Sequence, residues 1–352
     1  MPQKTKLQIL GEIVTDYTPA KHEGQMLPKN HQRFLWYSNF KRLCPVSWAT
    51  PENIPYVAAT GLIDAYSQLP SRPDLAFNSL WSATNSSYND LYLASHLSHG
   101  AVLTDSKSID YSLQRISQKL HQIIPISGAA SGSISIIDLF KEYIKIAPDK
   151  NFNFVAQYVL RGISVELHNT QQTTPANKVR EILISSAYKT FKSKFPKIHN
   201  TISSSTGLKF SNLCTISETS CRTDIDFGIQ RANREQTRKL VHATGKILRQ
   251  EAIAANITTS STQGSFDDHK HWLSFLVLPL LYATRNTAVH GNAASRLNSI
   301  FANGDSISSS AWTFLFGYLY FSLILFCQSN IEINDLEPLY ENTRINMYGD
   351  DH

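Results

Sequence analysis

From about Pro51 onward, apolar positions recur at spacings of three and four, the signature of helices with one buried face. Pro51-Glu52 supplies a first turn, and Val57, Leu62, Ile63 and Tyr66 mark a buried stripe that stops before Pro70. A second helix is expected from about Asp74 to His96, with Phe77, Leu80, Trp81, Thr84, Asn85, Tyr88, Leu91 and Tyr92 forming a broad buried face. Gly100–Ala147 reads as two further helices around the loop SGAASGS, and Asn153–Leu167 and Asn177–Phe195 as two more. By composition TISSSTG (201–207) and NITTSSTQG (256–264) are loops, on either side of a polar helix over Arg231–Ala255. Helices follow over Asp268–Asn286 and Ala293–Ala302, the latter stopped by Asn303-Gly304. Asp305 or Ser306 caps the next helix, whose Trp312, Leu315, Phe316, Leu319, Tyr320 and Leu323 are core-spaced. Residues 1–50 mix short apolar runs with prolines, which predicts an extended arm with a strand over Leu7–Val14. The expectation is an all-α protein.

Charge and composition refine this picture. The 352 residues carry a formal charge of +5, unevenly spread. Arg161–Gln250 holds 15 Lys/Arg against 6 Asp/Glu, and the stretch from Ser329 has only Arg344 against six acids. A basic middle attracts phosphate backbones, or is simply a solvated helical face. Met1–Gly11 has no signal core, and the four cysteines lack a CxxC pair, so a cytoplasmic location is expected. Cys327 sits in an apolar run and reads as a core thiol. Ala311–Cys327 is 17 residues without a charge, but no basic cluster flanks it, so it is expected as a buried helix and not a membrane segment.

One short stretch carries candidate chemistry: LYATRNTAVHG, Leu281–Gly291. With 12 His and 14 Arg, about one or two Arg-(four to six residues)-His matches arise by chance. Three occur: Arg115/His121, Arg161/His168 and Arg285/His290. Only Arg285 is followed by a hydrogen-bonding residue, Asn286, and only His290 by glycine. Five residues apart on an unbroken helix, Arg285 and His290 would point about 140° apart. The helix is therefore expected to end or distort near Val289, with Gly291 suited to terminating it.

The segment resembles the Arg-Asn-x-x-x-His motif of HEPN domains, helical proteins rich in RNA-cutting toxins and antiviral effectors. Phe77–Tyr88 (FNSLWSATNSSY) is similar to the Leu-Trp-x-x-x-Asn-x-x-Tyr helix of abortive-infection, Apea-like HEPN proteins, and the order of the two blocks is also the family's. The resemblance implies a HEPN-like bundle from residues 51–99 and 266–328, a large helical insertion or second subdomain over 100–265, the arm 1–50 and an acidic tail 329–352. It implies a homodimer with a shared cleft, RNA as substrate, an antitoxin or defence-complex partner, and Arg285, Asn286 and His290 as catalytic residues. The residue types fit: His shuttles protons near pH 7 and Arg's fork neutralises a crowded phosphorane, so attack by the RNA's own 2′-hydroxyl needs no metal or other cofactor. The alternative is a non-catalytic HEPN scaffold or sensor that binds a partner protein, nucleotide or RNA. The aromatic stripe with Trp81 and Tyr88 is expected as core.

Overall fold

The computed structural model describes residues 5–25, 36–96, 103–127, 132–171, 186–217, 224–226, 230–258, 263–289, 297–298, 302–345 and 347. Most of these are helical, with two short antiparallel strand pairs among them. By packing, the chain divides into two units: residues 1–148 with 284–352, and residues 149–283. The divisions fall at Asp149 and Ala283, where the sequence suggested an insertion over 100–265.

The first unit is organised by one helix that is apolar all round, which is what a central position demands. Among its described helices are α1 (Lys6–Thr15), α2 (Pro19–Gln25), α3 (Tyr56–Ser67), α4 (Pro73–His96), α5 (Asp105–Ser117) and α6 (Ile136–Lys145). The central helix, Gly304–Cys327, packs most extensively on α4, which packs in turn on α3 and α5. Each side of it has its own partners. Phe314 and Tyr318 meet Phe40, and the Tyr318 hydroxyl accepts the Leu43 N–H at 2.8 Å and lies 2.7 Å from the Tyr66 hydroxyl. Trp312 stacks on Phe316 and donates its Nε1–H to the Tyr143 carbonyl at 2.8 Å. Tyr320 stacks on Trp81 and lies 2.6 Å from the Ser112 hydroxyl. Gly317 permits the close approach of α4, since a Cβ there would lie 2.9 Å from the Phe77 ring. Among the described residues this is the one helix long and apolar enough to cross a membrane, and its most apolar window is 94% buried.

Four expectations for this unit need correction. The strand over Leu7–Val14 is instead helix α1, begun by a reciprocal capping box between Thr5 and Gln8. The arm is not extended either: Trp36, Phe40 and Leu43 are buried, and Asn342 bonds both the N–H and the carbonyl of Lys41. That same contact pins the acidic C-terminal stretch, where Leu336, Leu339 and Ile345 are also buried. On α3 the buried residues are Ala58, Leu62 and Ala65, whereas Val57 and Ile63 are 55% and 66% exposed. Small alanines face α4 because the two helices run close together: a Cβ on Gly61 would lie 2.7 Å from that of Ala83. Finally, the N-cap of the central helix is Asn303, in a reciprocal pair with Ser306, and not Asp305 or Ser306. The helix expected over Ala293–Ala302 lies almost wholly outside the described residues.

The second unit is built on α7 (Asp149–Gln171), followed by α8 (Ser186–Lys194), α9 (Pro196–Ile202) and α10 (Leu208–Ser211). Then come α11 (Arg231–Ala254) and α12 (His269–Val277), with α11 and α10 packed on α7. The expected loop 201–207 is helical, since Ser203–Gly207 forms a π turn that joins α9 to α10 without a break. Its hydroxyls, which favour loops when they bond backbone outside helices, here bond backward along the helix. Ser204 donates to the Asn200 carbonyl, Ser205 to Thr201 and Thr206 to Ile202. Near the start of α12, Phe195, Phe266, Phe275 and His271 form an aromatic cluster, and Trp272 donates to the Ala252 carbonyl at 2.9 Å.

A hydrogen-bonded chain ties α7, α8 and α9 together. Tyr188 donates to Glu166 at 2.9 Å, Lys192 reaches the same carboxylate oxygen at 2.5 Å, and the His199 Nε2 lies 3.1 Å from the Tyr188 hydroxyl. Burial holds the His199 pKa below its usual value. The Tyr188 ring can sit there only because residue 162 is glycine, as a Cβ at that position would overlap the ring. Gly162→Ala should displace the ring, break its two hydrogen bonds and cost about 3 kcal/mol. Urea unfolding followed by circular dichroism reads this directly, and an unchanged midpoint would show that the ring adjusts freely.

Candidate active site

The candidate site begins with a distorted helix. After α12, Leu278–Tyr282 forms a π segment before the α-helix resumes as α13, Ala283–Val289. Pro279 explains the distortion. It lacks an N–H to donate, and its ring would collide with the carbonyl four residues back in a regular turn. The π turn sits directly at this proline, and the Ala283 N–H bonds the Leu278 carbonyl five residues earlier. The π turn shifts the hydrogen-bond register by one residue just ahead of α13. This distortion lies before the motif; helix α13 runs Ala283–Val289, so the end or bend expected near Val289 falls at the edge of the described residues.

Arg285 and Asn286 are each half-buried, and the Arg285 Nη1 donates to the Asn286 Oδ1 at 3.0 Å. Neighbouring residues on a helix normally diverge by about 100°. Here the long guanidinium folds back toward the amide. This fixes one arm of the fork and orients the Asn286 amide with its oxygen occupied by the cation. Thr284 beside them is buried. His290 and Gly291 lie outside the described residues.

The helix carrying the second block is core, as expected for its aromatics. Trp81 and Tyr88 are fully buried and meet edge to face, with ring centres 6.4 Å apart. Asn85 is half-buried and accepts a hydrogen bond from Asn89 at 3.1 Å, one turn along the same helix. Of the rival pairs, Arg161 and His168 share the unbroken helix α7, with Arg161 exposed. Arg115 lies in the last turn of α5 and His121 is an exposed residue beyond it.

Two thiols are poor nucleophiles, since burial pushes Cys214 up to about 12 and Cys327 up to about 11. Among the described residues, no three His, Cys, Asp or Glu side chains cluster in a way that could hold a metal ion. The network of Glu166, Tyr188, Lys192 and His199 has no signature in the sequence. Its members come from separate helices, and only the helical Gly162 hints at the close packing behind it. No protein-family model, curated protein or solved structure matches the chain.

Proposed function

We propose that the protein is a metal-independent endoribonuclease of the HEPN type, with Arg285, Asn286 and His290 as its catalytic residues. The observation that carries this reading is the hydrogen bond from Arg285 to Asn286, within a motif whose His290 follows Asn286 by four residues. In the reaction the RNA 2′-oxygen bonds to the adjacent phosphorus as the bond from phosphorus to the 5′-oxygen breaks. One imidazole takes the 2′-hydroxyl proton, and another, from a second copy of the chain, protonates the departing 5′-oxygen. Arg285 neutralises the phosphorane, and Asn286 holds the guanidinium in place to do so. A toxin or antiviral-defence effector is the setting that the resemblance to this family implies.

The test is an end-labelled RNA with a single 2′-deoxy substitution at its main cut site. Cleavage there should stop, while unsubstituted RNA is cut in EDTA and yields 2′,3′-cyclic phosphate and 5′-hydroxyl ends. Normal cutting at the substituted bond, or a requirement for magnesium, would remove His290 from its assigned role.

A further inference from the structure

Helix α11 has two chemically distinct sides. Its buried side, with Val241, Thr244, Leu248 and Ala252, packs on α7 so closely that a Cβ on Gly245 would overlap the Asn153 side chain. On the outer side, Arg234, Arg238, Lys239 and Lys246 are all exposed. At 3.6 residues per turn they occupy about 140° of the circumference and extend about 18 Å along the axis. The other charges on this side are accounted for: Glu235 faces Arg231 at 3.5 Å, and Asp149 takes Arg249 at 2.8 Å with His242 at 3.7 Å. Arg234, Arg238, Lys239 and Lys246 have no ion-pair partner among the described residues.

Local stability does not explain this arrangement. The first turn holds Arg231 and Arg234 with no acidic residue, and Gln230 caps it without a side-chain bond. Cations at that end oppose the helix dipole. A sequence that accepts a local conflict of this kind has a reason elsewhere.

We infer that the outer side of α11 is a docking surface for an RNA phosphate backbone. A row of unpaired cations spaced along a rigid helix matches a polyanion of regular charge spacing. A membrane surface fits less well, because a helix lying on lipid needs its apolar side free and that of α11 is buried. RNA as the phosphate carrier rests on the ribonuclease reading above.

The experiment measures fluorescence anisotropy of a labelled 2′-O-methyl RNA, which cannot be cut by 2′-hydroxyl attack, with the full chain over a range of salt. Replacing Arg234, Arg238, Lys239 and Lys246 together by alanine should weaken binding about tenfold or more at low salt. It should also make the salt dependence shallower by about 3, at roughly 0.7 for each single-strand phosphate that is no longer neutralised. Arg234→Lys with Arg238→Lys should keep most of the affinity. Cutting of ordinary RNA by His290→Ala tests the ribonuclease reading separately, since the anisotropy measurement uses an RNA that cannot be cut. Three results would overturn the docking surface: no RNA binding by wild type, identical binding and salt slope in the fourfold variant, or an α11-dependent affinity for phosphatidylserine vesicles without one for RNA.

Discussion

Arg285→Ala and His290→Ala should each slow RNA cleavage by roughly two to four orders of magnitude, the range for losing a proton shuttle or a positioned charge at a phosphorane. Arg285 is half-buried and, among the described residues, bonds only to its neighbour Asn286, so its removal should leave the melting temperature within about 2 °C of wild type. Asn286→Ala should be milder, about tenfold, because the guanidinium keeps its charge and loses only its anchor. Arg285→Lys should resemble Arg285→Ala more than wild type, since an ammonium cannot span the amide and a phosphate together. Single-turnover cleavage beside a thermal melt of each variant decides the matter. Full activity in Arg285→Ala would remove the arginine from the mechanism.

Trp312→Ala should be the most damaging substitution to the fold. The side chain is fully buried, stacks on Phe316 at 4.8 Å and donates to the Tyr143 carbonyl, linking the central helix to α6. Truncation leaves a large cavity and a buried carbonyl without its donor, together costing about 3–5 kcal/mol. Folded domains keep only about 5–15 kcal/mol in total, so a large share of the stability goes with one indole. Trp312→Phe, which keeps the stacking and loses the hydrogen bond, should cost about half as much. Guanidinium unfolding followed by near-ultraviolet circular dichroism measures both. A loss under about 1 kcal/mol for Trp312→Ala would mean that the central helix is not what holds the first unit together.

The helical class and the central helix are legible in the sequence because both depend on local pattern. A run such as WTFLFGYLYFSLILFC, apolar on every side, has nowhere to go but the middle. Sequence reading fails where local pattern and physical cause part. TISSSTG looks like a loop until its hydroxyls bond backward along a helix, which composition cannot reveal. Leu7–Val14 looks strand-like unless the Thr5/Gln8 cap just ahead of it is weighed first. On α3 the larger apolar residues suggest the buried face, but a close helix crossing selects alanine and glycine. The candidate site is partly legible, since Arg285 and Asn286 are sequence neighbours and their hydrogen bond needs no long-range information. The Glu166–Tyr188–His199 chain is not, because three helices must first be placed in space.

The division of the chain also has a consequence for its synthesis. The first unit is made from both ends of the sequence, while residues 149–283 form a continuous piece between them. When Pro148 has been made, α4 still lacks its main partner, which begins at Gly304. At about 5–20 residues per second, the ribosome takes roughly 10–30 s to cover that interval. Throughout it Phe77, Leu80 and Trp81 have no central helix to cover them. The nascent chain therefore carries the apolar face of α4 without its main cover for that interval, the kind of surface on which chaperones act.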